Sequence, residues 1–105
     1  MAQFDLYTNP DKETKAIYPY FVDIQTRLLD PLHSRVVIPL TPIENKEDGY
    51  PASLCPVIKV GGEEFALLTY QIASVSNQVL SQYECSIALR RDDIVAAIDF
   101  LITGV

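Results

Sequence analysis

The chain has 105 residues, 49% of them hydrophobic and 21% charged, a composition of globular domains rather than disordered segments. Its net charge of −6 comes from eight basic and fourteen acidic side chains, so it lacks the basic footprint that direct nucleic-acid binding needs and favours a basic protein partner. No apolar run reaches the roughly 18 residues of a membrane span, and "MAQFDLYTNPDKE" shows no secretory signal, so one cytoplasmic domain over residues 1–105 is expected.

In chain order, "AQFDLYT" (2–8) sets Phe4 and Leu6 against Gln3, Asp5 and Tyr7, which predicts a half-buried strand. "NPDKETK" (9–15) is a polar turn punctuated by Asn-Pro. In "AIYPYFVDIQTRLL" (16–29), Val22, Ile24 and Thr26 oppose Phe21, Asp23 and Gln25, predicting a second strand in a hairpin with the first. "DPLHS" (30–34) turns the chain into "RVVIPL" (35–40), a β-branched strand in which Pro39 marks an edge, a bulge or an end. "TPIENKEDGYPASL" (41–54) reads as a surface loop or small wing. "CPVIKV" (55–60) and "EEFALLTYQIASV" (63–75) are strands flanking Gly61-Gly62, which supply the positive φ values of a two-residue hairpin turn. "SNQVLSQYECSIALRRDD" (76–93) predicts loop and one short strand. From Asp92 the spacing becomes helical, with Asp92 and Asp93 as cap and first turn and Gly104 as the stop. The sum is a mostly β fold with one C-terminal α-helix.

On a helical wheel, Ile94, Ala97, Ile98, Leu101 and Val105 form one stripe, widened by Val95 and Ile102 on one side and Phe100 on the other. The apolar arc covers roughly 200°, about twice what packing on a single surface requires. Two coverings are open: loops of the same domain, or a second copy of the chain. The chain stops on apolar helix without a polar tail, although a free carboxylate there opposes the helix dipole, and this favours the second copy.

Catalytic patterns are sparse. His33, between Asp30 and Ser34, reads as a solvated turn histidine, and Glu63-Glu64 as solvated charges beside a hairpin. Asp23 reads as a cross-strand hydrogen-bonding group, and Arg90-Arg91 with Asp92-Asp93 as salt bridges at the helix start. Cys55 and Cys85, outside any CxxC or metal-ligand spacing, are expected to be reduced thiols. No P-loop, GxGxxG or metal motif occurs, so a binding module without cofactor or metal is expected before an enzyme.

"QFDLYT" (3–8), "FVDIQTRLLD" (21–30), "RVVIPL" (35–40), "PVIKVGGEEFALLT" (56–69), "IASV" (72–75) and "RDDIVAAIDFLITGV" (91–105) resemble, in order and spacing, the CcdB toxins of bacterial CcdA/CcdB toxin–antitoxin modules. The resemblance implies an SH3-like barrel, with a CcdB–MazF-type antiparallel sheet and a C-terminal helix, that forms a homodimer. It implies a non-enzymatic poison that binds the A subunit of DNA gyrase and traps the cleaved-DNA complex, blocking replication and transcription. It further implies neutralisation by the disordered C-terminal region of a CcdA-like antitoxin, contact with DNA only through that antitoxin, autoregulated transcription and plasmid maintenance.

Carried over residue by residue, the implied gyrase-binding set is Gln3, Phe4, Tyr7, Leu28, Leu29, Asp99, Thr103, Gly104 and Val105. The implied dimer interface is Ile98, Leu101, Ile102 and Val105. Thr103 stands where the family has a tryptophan, and Asp99 where it has an asparagine. Loss of a stacking indole removes contact energy that other contacts are expected to replace. MazF/Kid-type toxins, which look alike but cut single-stranded RNA, are one alternative; their chemistry needs an acid–base pair and clustered cations, which this sequence does not group. A non-toxic CcdB-like homologue that only binds antitoxin is the other. The acidic balance predicts basic residues in the antitoxin segment.

Overall fold

The computed structural model describes residues 2–104. Its elements follow in the order β1 (Asp5–Thr8), β2 (Tyr20–Asp23), β3 (Ser34–Pro42), β4 (Val57–Val60), β5 (Glu63–Leu67), β6 (Ala73–Ser76), β7 (Tyr83–Ser86) and α1 (Arg91–Thr103). The strands form one antiparallel sheet in the order β4-β5-β3-β2-β1-β7, with β6 also paired to β3. This is the mostly β architecture with a C-terminal helix that the residue pattern predicts.

Strand alternation sorts the core. Leu6, Val22 and Ile38 lie side by side across β1, β2 and β3. They pack with Leu40, Ile58, Phe65, Leu67 and Ile94 into the main apolar cluster. Their neighbours Tyr7 and Val37 point the other way, into a second cluster with Leu80. Both faces of the central strands are therefore covered, which is why Asp23 and Arg35 are buried although each sits beside apolar residues.

Several boundaries differ from expectation. The first strand starts at Asp5, because Phe4 takes a left-handed backbone, φ 69°, rare for a bulky residue. Its N–H donates to the Asp23 carbonyl at 2.6 Å and its carbonyl accepts from Ile87 N–H at 2.8 Å, so two neighbouring segments hold that conformation. The second strand covers only Tyr20–Asp23; beyond it Thr26 caps a 3-10 turn, Arg27–Leu29, by accepting from Leu28 N–H.

The apolar run 63–75 is two strands, not one. β5 pairs with residues 40–42 of β3, and β6 pairs with residues 34–37 along the same edge. Between them lies the 3-10 turn Thr69–Gln71. Pro39 sits opposite this break: its carbonyl accepts from Leu68 N–H at 2.9 Å, so its missing donor faces the gap where no ladder partner waits. The proline thus occupies the interior of β3, at the point where its neighbour changes, and not an edge or a strand end.

The hairpin and the helix stop form as expected. Gly61 and Gly62 have φ of 59° and 84°, and Gly104 has φ of 74° with its N–H donating to Phe100 O at 2.8 Å. The helix begins one residue early, at Arg91, with Arg90 at the cap position and no capping side chain; Asp92 and Asp93 occupy the first turn. Arg90 bonds Asp93 at 2.9 Å and donates to Val57 O at 2.9 Å, tying the helix start to β4. Cys55 is buried, Cys85 half-buried, and both are free thiols.

Candidate functional site

Large apolar side chains reach water at several places, Leu89, Tyr83 and Ile17 among them, and two of these surfaces carry residues of the implied sets. The first is the connection from β2 to β3, where Leu28 is 88% exposed, Leu29 45% and Leu32 49%. Every residue from Thr26 to His33 is exposed. The second is the end of α1. Its first turns are rooted in the core by Ile94 and Ala97, both fully buried, with Val95 and Ile98 packed beside them. Further along, Leu101 is 37% and Ile102 75% exposed, and Thr103 and Gly104 are exposed too. Among the described residues, loops of the same chain do not cover this end.

The helix end is well formed. Thr103 Oγ1 donates to Asp99 O at 2.7 Å and Gly104 N–H to Phe100 O, so carbonyls left free at a helix terminus find partners within the turn. The exposed side chains thus stand on a regular scaffold.

The remaining implied residues fall into two groups. Gln3 Nε2 donates to Ile24 O at 3.0 Å, which ties the N-terminal segment to the start of the 24–34 connection. The Phe4 ring is buried and faces the Arg91 guanidinium at 6.0 Å, so it adjoins the start of α1. Asp99 and Thr103 lie about 12 and 18 Å further along the axis of that helix.

Tyr7 is buried in the second apolar cluster, edge-on to Tyr83 with ring centroids 6.0 Å apart. Burial, with the nearby Asp5 and Asp23, raises its phenol pKa. The Phe4 and Tyr7 side chains are thus spent on the chain's own packing, and the exposed members of the set are Leu28, Leu29, Asp99, Thr103 and Gly104. Of the dimer set, Ile98 packs partly on the core while Leu101 and Ile102 face outwards. Val105, implied in both sets, lies outside the described residues.

Asp23 bonds across the strands as expected, accepting from Arg35 Nε at 3.0 Å, but the wider cluster was not foreseen. The buried Arg35 guanidinium pairs with Asp23 at 2.8 Å and Asp30 at 2.6 Å, and Nη2 also donates to Gln25 O at 3.2 Å. Burial would lower the Arg35 pKa, but Asp30 and Asp23 carry it above its ordinary value. Burial pushes the Asp23 carboxyl up, against the Gln25 N–H and the Arg35 guanidinium that favour its charge. The residues were visible, an aspartate within one expected strand and an arginine opening the next, but their pairing depends on strand register.

The expected salt bridges at the helix start are present, Arg90–Asp93 and a looser Arg91–Asp92 contact at 3.6 Å. His33 is exposed in its turn, as expected. Among the described residues, no three His, Cys, Asp or Glu side chains gather where a metal ion could sit, and no helix is long and apolar enough to cross a membrane. The candidate site is the two exposed apolar stretches that carry the implied residues, the 26–33 loop and the end of α1. The CcdB protein family model matches residues 3–104, and the chain belongs to the CcdB family of toxin–antitoxin toxins.

Proposed function

We propose that this toxin works in the cytoplasm as a homodimer, binds the A subunit of DNA gyrase and traps the cleaved-DNA complex. It acts by protein–protein binding and not by catalysis. The observation that carries the reading is the bare apolar end of α1, where Leu101 and Ile102 face solvent on a helix otherwise rooted in the core. Full burial of an exposed side chain of this size gains about 1.5–3 kcal/mol; Ile102, 75% exposed, has most of that still to gain and Leu101, 37% exposed, a smaller part, which favours a partner there. A second copy covers Leu101 and Ile102 and brings two helix ends together, and the joined ends engage gyrase. A CcdA-like antitoxin, disordered until bound, neutralises the toxin by wrapping it.

The test is a gyrase cleavage assay with purified protein. The full chain is expected to accumulate cleaved DNA. A variant lacking Thr103, Gly104 and Val105 is expected to fold and dimerise without doing so. Absence of stabilised cleavage at any concentration overturns the reading. Cleavage of cellular RNA under the same conditions points instead to a ribonuclease toxin, and growth without arrest on induction to a homologue that only binds antitoxin.

A further inference from the structure

No residue from Thr26 to His33 is fully buried, and Leu29 and Leu32 are only about half out of water, so hydrophobic burial alone does not fix the shape of this loop. Polar ties select it. At its far end, Asn77 donates from its backbone N–H to His33 O at 3.0 Å and from Nδ2 to Leu32 O at 2.9 Å. At its near end, Gln25 Nε2 reaches Leu29 O and Ser34 O, both at 3.3 Å, while its Oε1 accepts from Val36 N–H at 3.0 Å. The centre is held by charge. Asp23 and Arg35 belong to adjacent paired strands, whereas Asp30 is the one member of the ion-pair cluster on the exposed loop itself.

Burying an arginine between two carboxylates is a poor way to stabilise a fold, because desolvation cancels much of the attraction. Its better-attested use is to specify one arrangement over others. Here the arrangement specified is local: among the described residues the Arg35 guanidinium finds its hydrogen-bond and ion-pair partners in Asp23, Gln25 O and Asp30, all in the segment that leads into and forms this loop. Asp30 directly follows Leu28 and Leu29, and its N–H closes the 3-10 turn that carries them by donating to Arg27 O at 3.1 Å.

We propose that the Asp30–Arg35 ion pair is a latch that fixes the β2–β3 loop in the shape that displays Leu28 and Leu29 to the target. Asp30 is then a positioning residue and not itself a contact. The latch deepens the gyrase reading above and rests on it for the identity of the target.

The test uses the full chain with Asp30→Asn, which keeps shape and removes charge. Amide hydrogen exchange at Leu29, Asp30 and Leu32 is expected to quicken about tenfold, with β2 and β3 amides unchanged as the internal sign of an intact fold. Binding to the gyrase A subunit is expected to weaken about tenfold, the scale of one lost charge-assisted hydrogen bond. In a Leu28→Ala, Leu29→Ala background the same substitution is expected to have no further effect on binding, because the latch then holds nothing that binds. Unchanged loop exchange overturns the latch, and so does a binding loss that persists undiminished in the double-alanine background. If the parent chain does not bind gyrase, the functional reading fails while the exchange experiment still decides whether the latch exists.

Discussion

The β2–β3 loop and the end of α1 both hold leucine or isoleucine in water, by opposite means. The helix end projects from a dry root: Ile94 and Ala97 are fully buried, and regular hydrogen bonds carry the apolar side chains outwards. The loop has a charged root, with Arg35 and Asp23 buried beneath a stretch in which no residue is fully buried. A helix transmits rigidity along its axis, so one buried turn can support exposed residues beyond it. An irregular loop does not, and needs a tie at each place where its shape matters. Display of apolar surface is thus bought once with packing and once with buried charge.

The largest expected effect comes from the charged root. Arg35→Ala leaves Asp23 buried without a counter-ion and is expected to cost about 3–5 kcal/mol of stability, measured by urea denaturation. A loss below about 1 kcal/mol would mean that the cluster is solvated in solution and that the two roots do not differ as described. At the dry root, Ile94→Ala is expected to cost about 2–5 kcal/mol by losing buried methyl groups and leaving a cavity.

The pH dependence separates the roots further. The Asp23 carboxyl titrates above its ordinary value because it is buried. A carboxyl with a higher pKa folded than unfolded holds more protons in the folded state. Its contribution to stability therefore grows as pH falls through the folded value towards the unfolded one, near 3.9. Asp23→Asn removes this term and leaves other carboxyls common to both proteins. The stability difference is expected to move in the parent's favour between neutral pH and about pH 4; movement the other way would show that ion pairing outweighs burial.

The smallest effects on folding are expected where the two displays face solvent. Leu28→Ser is expected to change stability by no more than about 0.5 kcal/mol while weakening gyrase binding. Ile102→Ser is expected to leave the folded monomer equally unaffected and to weaken self-association about tenfold, read by sedimentation across micromolar concentrations. A chain that stays monomeric throughout would remove the dimer from the proposal and leave the helix end to gyrase alone.

Signals carried by a few adjacent residues were legible. Gly61-Gly62 marked a hairpin, Gly104 a helix stop, and the wide apolar arc of 92–105 a helix with more greasy surface than one core covers; each depends on local backbone geometry or a short period. Misreadings arose where distant residues decide. Nothing local divides "EEFALLTYQIASV": it breaks because β3 offers no donor at Pro39, and the two halves pair on either side of that gap. Phe4 reads as an ordinary strand residue until its backbone is hooked by Asp23 and Ile87.

The candidate site divides along the same line. Periodicity was enough to name the helix end, while Leu28 and Leu29 were named by the resemblance alone, since the residue pattern put them in a strand and the structure puts them in a 3-10 turn. The folding of Phe4 and Tyr7 into the chain's own interior, and the meeting of Asp23, Asp30 and Arg35, came from strand register and two-sided burial. A charge in a sequence does not carry its partner with it. Pairing is a property of space, set when β2 and β3 align and close the loop between them.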